Sequence, residues 1–406
     1  MVAFLATLLA SGAHAATATV CIDVDTNFDD SDITGATEDY WRNNGVKPLR
    51  GVQIKLIENF GAQAEITSYA AWGGNNPGCA TFHNVSTTAG ETYTIKVRSQ
   101  FSVKSSTIDV RSSETGTPWF TPTLITGRQF TLGNLTVDHT VGPHRVWNVG
   151  GAAAWALARR DGGRTLTPTF YVTDSNGTLT SPCGGPCVQG DDVYIDDDGA
   201  RLKFAIAYQL GWVLADNLGV GSLNWSISNP SDCTSQGDKD LSSAEYWPAA
   251  AADGLAHFYA ASAFNNLAET DCGYTYWRDV DFDGMGPPCF DAVDTDALRP
   301  ISCATGRAPL VPATNQLDYC TTSTRTTFND PASTAIDFLR LWWDIDSHET
   351  NVDFADIVDI YLETDPANWS NNAAADWETD AYAVISSASW FTAVADYLER
   401  HGIPTQ

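Results

Sequence analysis

The stretch KFAIAYQLGWVLADNLG, Lys203 to Gly219, decides how the second half of this chain is read. Phe204, Ala207, Leu210, Gly211 and Leu214 recur at three- and four-residue spacing, which is the period of an α-helix. The acidic run Asp196 to Asp198 stands just before it, where carboxylates meet unpaired N–H groups and the positive end of the helix dipole. GARLKFAIAYQLGWVLADNLG therefore predicts one helix. Upstream, RVWNVGGAAAWALARR predicts the first substantial helix, stopped by Gly162 and Gly163. Downstream, SSAEYWPAAAADGLAHFYAASAFNN predicts another, with Pro248 near its start. DPASTAIDFLRLWWDIDS, FADIVDIYLE and SWFTAVADYLERHG predict three more. Long loops rich in Asp, Gly, Pro and Cys join them, above all over 270–330.

The first third reads differently. TATVCIDVD, GVQIKLIE and TYTIKVRSQF alternate apolar and polar residues, the period-two pattern of half-buried strands. Turn-rich pieces such as WGGNNPGC and SETGTP separate them. The expected fold class is multidomain α+β. A β-sandwich spans 17–138, and a mainly α-helical domain spans 139–406.

The chain has 406 residues, 43% of them hydrophobic and 11% aromatic, enough for globular cores. Its 50 acidic and 22 basic residues give a formal net charge of -28. Such a surface repels nucleic acid and anionic membranes and attracts divalent cations. The N-terminus, MVAFLATLLASGAHA, has an apolar run followed by an Ala13-His14-Ala15 pattern, so 1–15 is read as a signal peptide. No basic residue precedes the apolar run. No later stretch is long and apolar enough to span a bilayer. Nine cysteines in an exported chain imply disulfides. Cys21 and Cys79 are the two in the N-terminal third and are expected to pair. Cys183 and Cys187 are close enough to bridge locally, and Cys233 and Cys272 flank one predicted helix. Cys289, Cys303 and Cys320 leave one thiol over. The expected location is outside the cell or on its surface.

The frame A-x-x-L-G-x-V-L, carried by Ala207, Leu210, Gly211, Val213 and Leu214, resembles the zinc-binding helix of gluzincin-type metallopeptidases. AAAADGLAHFYA resembles the helix that carries the third metal ligand in secreted bacterial members of that family, and FLRLWWDID a helix that follows it. The likeness covers roughly 140–400. It implies a zinc site, but the residues at the matching positions depart from it. Zinc hydrolysis needs two His one turn apart and a Glu as general base. Tyr208 stands at the first His position, Gln209 at the base, Trp212 at the second His and Asp253 at the third ligand. A phenol is a poor ligand, an amide accepts no proton usefully, and an indole N–H has no lone pair to offer. Asp253 alone keeps a ligating carboxylate, and one carboxylate is too little to hold zinc. Zinc is therefore not expected. His257, one turn after Asp253, is expected to face it as a hydrogen-bonded partner. The plainer alternative is a buried helix with core aromatics and no peptidase likeness. His139, His144, His348 and Glu349 do not place two ligands one helical turn apart.

Two acidic loops suit calcium, which takes oxygen ligands at alternate positions. WRDVDFDGMG offers Asp279, Asp281 and Asp283 with Gly284 at the turn. CIDVDTNFDDSD offers, more weakly, Asp23, Asp25, Asn27 and Asp29. Neither is a full EF-hand, and a solvated acidic turn is the ordinary reading of such clusters. VCIDVDTNFDDSD followed by LRGVQIKLIE and CATFHNVSTTAGETYTIKV resembles the Cna-B and SdrD B-type modules of bacterial surface proteins, over about 17–105. That likeness implies a calcium-stabilised sandwich, although the insertion EDYWRNNG departs from it.

No G-x-S-x-G, P-loop or dinucleotide motif is present. Trp72 and Trp119 are candidate sugar contacts, but a core place is the commoner role for Trp. The expected function is non-catalytic: a pseudopeptidase that binds peptide or protein in the old cleft, or a surface module. The alternatives are an active zinc peptidase with an atypical metal site, and an adhesion module without a cleft.

Overall fold

The structure is a computed structural model. It describes residues 16–26, 28, 45–58, 65–73, 76–85, 92–112, 119–120, 124–126, 135–138, 145–160, 162–173, 181–182, 186–196, 199–220, 244–264, 332–348 and 352–363. Residues 1–15, the predicted helix SWFTAVADYLERHG, the 270–330 loops and Cys183, Cys233, Cys272, Cys289, Cys303 and Cys320 lie outside the described residues.

In chain order the elements begin with β1 (Ala16–Thr26), β2 (Gly45–Pro48), β3 (Val52–Glu58), β4 (Glu65–Tyr69) and β5 (Cys79–Val85). There follow β6 (Thr92–Val103), β7 (Ser106–Arg111), β8 (Trp119–Phe120), β9 (Leu124–Thr126), β10 (Leu135–Asp138) and α1 (Arg145–Arg159). Next come β11 (Thr169–Val172), β12 (Cys187–Gln189), β13 (Asp192–Ile195) and α2 (Lys203–Ala215). The last are β14 (Ala244–Tyr246), α3 (Trp247–Phe264), β15 (Ala332–Thr334), α4 (Ala335–His348) and α5 (Phe354–Glu363).

The predicted strands of the first third form two sheets in a sandwich-like arrangement. One holds four strands in the order β10-β1-β2, with β5 also paired to β1. The other holds nine, along β12-β13-β11-β7-β6-β3-β4, with β8 and β9 on β6. The alternation seen in the sequence is the alternation of burial. In β6, Tyr93, Ile95, Val97, Ser99, Phe101 and Val103 are buried, and the residues between them are half-buried. Cys21 and Cys79 are bonded across β1 and β5, as their isolation in the sequence predicts. Gly51 lies at φ +72°, and a Cβ there would meet the Ser102 carbonyl oxygen at 2.5 Å and the Trp72 ring at 2.8 Å. The Trp72 indole N–H donates to that same carbonyl at 2.7 Å, so Trp72 is a half-buried structural residue.

The expectation of a mainly α-helical second half is corrected. Helix and strand are nearly balanced among the described residues, and the large sheet continues past residue 138. β11 pairs in parallel with β7 and β13 in parallel with β11, while β12 pairs antiparallel with β13. The physical reason is visible in the side chains. Phe170, Val172, Val193 and Ile195 are buried, and Thr169, Tyr171, Asp192 and Tyr194 are half-buried. These are the alternating strands of a half-buried sheet, too short to stand out among the loops around them.

α1 joins the sheet to the helices. It ends before Gly162 and Gly163, both at positive φ, as the sequence predicts. Gly150 lies directly against the Phe101 ring of β6, where no Cβ would fit, so the helix sits close on the sheet. One continuous core runs from Ile54 and Phe101 through Trp147 to Leu210, Phe258 and Trp342. α3 is central to it. Every residue from Ala251 to Phe264 is buried, which is how a helix apolar on all sides is accommodated. Among the described residues no helix is long and apolar enough to cross a membrane.

The segment predicted as one helix from Gly199 to Gly219 is three pieces. A 3-10 turn spans Gly199–Arg201, α2 follows, and a π-helical turn spans Asp216–Val220. Asp196 does cap, but it caps the 3-10 turn, its Oδ1 accepting the Gly199 N–H at 2.7 Å. α2 itself has no side-chain cap at Leu202.

Candidate functional site

α2 and α3 touch through small residues. A Cβ on Gly211 would lie 2.7 Å from the Ala256 Cα and 2.9 Å from its carbonyl oxygen. Gly254 meets α4 in the same way, at Phe338, Ala335 and Leu339. Glycine at both positions lets the three helices approach backbone to backbone. This is the physical content of the LG and DG frames in the sequence.

That close approach brings three of the predicted positions together. The Tyr208 hydroxyl, on α2, donates to Asp253 Oδ1, on α3, at 2.6 Å. Asp253 is 2% exposed. The same oxygen lies 3.6 Å from His257 Nε2, one turn along α3. The Tyr208 ring stacks on the His257 imidazole, with centroids 4.3 Å apart and planes 29° apart. Trp212 meets Tyr208 edge to face, with centroids 6.4 Å apart and planes at 89°. Tyr208 and Trp212 are half-buried and pack on the core, whereas Gln209 is buried. Burial lowers the His257 pKa from 6.5 to about 4, against a smaller opposing effect of the Asp253 charge. His257 is therefore neutral at neutral pH, and its contact with Asp253 is a polar contact rather than an ion pair.

The arrangement does not suit zinc. The positions hold a phenol, an amide, an indole and a single carboxylate, and the carboxylate's Oδ1 already accepts a short hydrogen bond. Tetrahedral zinc needs deprotonated or neutral lone-pair donors on at least three sides. Among the described residues, no three His, Cys, Asp or Glu side chains cluster closely enough to hold a metal ion.

Of the two acidic loops, Asp279, Asp281, Asp283, Asn27 and Asp29 lie outside the described residues. Asp23 and Asp25 lie on β1, two residues apart and therefore on one face of the strand. Asp23 is buried and Asp25 half-buried. β10 pairs in parallel with β1 and puts Asp138 at the register position beside Asp25. Sequence reasoning missed this neighbour, because nothing local to Asp138 signals a partner more than a hundred residues earlier.

A second polar centre was also missed. Arg160, just after α1, pairs with Asp346 of α4 at 2.9 Å, and its guanidinium lies 5.8 Å from the Phe354 ring centroid of α5. Burial lowers the Arg160 pKa and raises that of Asp346, while each partner's charge opposes the shift of the other. The site fastens three helices. Cys187 is disulfide-bonded, and its partner lies outside the described residues. His348 falls in α4. His139, His144 and Glu349 lie outside the described residues.

No protein-family model matches the chain, and no curated protein matches its sequence. The likeness to gluzincin helices and to surface-protein sandwiches rests on the residues quoted above.

Proposed function

We propose that this chain is an exported, non-catalytic binding protein, a pseudopeptidase that engages peptide or protein ligands through the Tyr208 and Trp212 surface. The observation that carries the reading is the 2.6 Å hydrogen bond from Tyr208 to Asp253. Two positions where the zinc helix pair would offer ligands satisfy each other instead. The half-buried rings of Tyr208 and Trp212 supply rigid, amphipathic contact area, the usual currency of peptide recognition. The Cys21–Cys79 bond supports export, because such bonds persist in oxidising compartments. Calcium at the Asp23 and Asp25 strand end, and at Asp279, Asp281 and Asp283, belongs to the same proposal as a stabiliser of the fold.

A second reading is a surface module without a cleft between α2 and α3. The direct contact of Gly211 with Ala256 favours it. The two readings separate by experiment. Immobilised protein is challenged with a tryptic digest of casein, beside a Trp212→Ala variant of unchanged circular dichroism. Retention by the parent and loss in the variant support the binding surface. Equal retention, or none in either, supports the module. Chelator-sensitive cleavage of the peptides overturns both.

A further inference from the structure

α2 is buried on every side but one. Between Lys203 and Ala215 the residues that keep part of their surface accessible are Tyr208 and Trp212. One turn further on comes Asp216, half-buried, with Asn217 exposed beside it. Spacing by four puts Tyr208, Trp212 and Asp216 on one stripe, which runs about 12 Å along the helix. One end of the stripe is aromatic. Trp212 meets Tyr208 edge to face, and Tyr208 is held by its hydrogen bond to Asp253. The other end is acidic.

The turn between β12 and β13 comes up against that acidic end. Asp191 Oδ1 accepts from Asn217 Nδ2 at 2.8 Å, and its Oδ2 accepts from the Thr167 hydroxyl at 3.2 Å. Asp216 accepts from the Gly190 N–H. All three donors are neutral, so they satisfy lone pairs and leave both charges in place. Burial, then the like charge of Asp191, raise the Asp216 pKa, and the Gly190 hydrogen bond opposes them. Lys203, the one basic residue of α2, is buried at the opposite end of the helix. Arg164, three residues before Thr167, is paired with Asp359 at 2.8 Å. His257, stacked on Tyr208, is neutral because burial holds its pKa to about 4.

We propose that this stripe docks an extended peptide segment carrying an arginine, its stem across Trp212 and its guanidinium between Asp216 and Asp191. The inference rests on the reading of the Tyr208 and Trp212 surface as a peptide site, and names what that site selects. Trp212 and Asp216 are about 6 Å apart along the helix, within reach of one arginine side chain lying flat. A guanidinium stacks on aromatic rings and offers a planar fork of donors that matches carboxylates, and it is more weakly hydrated than an ammonium. A cation between two like charges also relieves their repulsion. The net charge of -28 adds a long-range attraction for cationic segments. Calcium is the competing occupant of two carboxylates. It takes about six to eight oxygen ligands, and the oxygens here are already shared with three donors.

The test is fluorescence anisotropy of a dye-labelled, capped heptapeptide of glycine and leucine with arginine at its centre, titrated with the full chain in chelator. A twin peptide carries citrulline, the neutral isostere of arginine, at the same place. The arginine peptide is expected to bind at least tenfold tighter than its twin, by a margin that shrinks as salt rises. Asp216→Asn is expected to cut that margin at least threefold and to leave the affinity for the citrulline peptide unchanged. Asp191→Asn, which keeps an acceptor for Asn217, is a second variant with the same expectation. Trp212→Ala should weaken both peptides. Equal binding of the two peptides, lost in Trp212→Ala, overturns the arginine preference and leaves the peptide surface standing. Binding of neither peptide overturns the inference, and retention of the casein peptides then decides the wider reading by itself. A margin that both aspartate variants keep also overturns it. So does calcium binding, seen by titration calorimetry, that Asp216→Asn abolishes and that displaces the arginine peptide.

Discussion

His257 gives the fold an acid-labile joint. In the unfolded chain an imidazole titrates near 6.5, and in the native core burial holds it to about 4. Between these two values the unfolded state binds a proton that the native state does not, so stability rises with pH across that window. The contribution is fully present above pH 6.5, is lost as pH falls toward 4, and changes no further below that. At about 1.4 kcal/mol per pKa unit, the gap amounts to about 3 kcal/mol. Against a typical total of about 5–15 kcal/mol, that is a large share. The perturbation is His257→Gln, which keeps a polar side chain beside Asp253 and removes the titration. The assay is urea unfolding of parent and variant at a series of pH values from 7.5 to 4. Carboxylates common to both proteins contribute equally, so the difference between the two curves isolates His257. The parent should lose about 3 kcal/mol more than the variant between pH 7 and pH 4. Parallel curves across that range would refute a buried neutral imidazole at this position.

Three further outcomes follow from the packing. Gly211→Ala inserts a methyl 2.7 Å from the Ala256 Cα, so α2 and α3 must separate; the expected cost is about 1–3 kcal/mol, read as a lower urea midpoint. Asp346→Asn removes the charge that faces the buried Arg160 guanidinium at 2.9 Å. That change should cost about 3–5 kcal/mol, and a midpoint within error of the parent would contradict the buried pair. Replacing Cys21 and Cys79 by Ser opens a link across a sequence separation of 58 residues. A loss of about 4 kcal/mol is expected by thermal unfolding, with no comparable loss when the parent is compared under fully reducing conditions.

Local pattern was readable in the sequence wherever one element sufficed to express it. α1 announced itself through its apolar spacing and through Gly162 and Gly163, which occupy the positive-φ positions that end it. The strands of β3 and β6 were legible because seven and twelve residues give the alternation room to show. β11 and β13, at four residues each, carry the same alternation. β11 takes its place by pairing with β7 some sixty residues earlier, and β13 by pairing with β11 in turn, and no local pattern encodes the first of these pairings at that distance. The helix through Lys203 was legible, but its 3-10 entry and π-helical exit were not. In the exit turn Asn217 Nδ2 donates to Asp191 Oδ1 at 2.8 Å, a contact to a residue outside the helix that no local pattern encodes. At the candidate site, the spacing of Asp253 and His257 predicted that they face each other, since residues four apart share a helix face. The sequence marked Tyr208 and Asp253 only as positions matching the zinc ligands in the gluzincin resemblance, and gave no sign of the chemistry between them. That the phenol would donate to the carboxylate depends on how closely Gly211 allows the two helices to approach.

The central claim is that Tyr208 of α2 and Asp253 and His257 of α3 form a hydrogen-bonded bracket that does not hold zinc. It is tested most directly by elemental analysis of the purified mature protein after exposure to zinc and calcium and then desalting. The account predicts calcium without zinc. Near-stoichiometric zinc would contradict it.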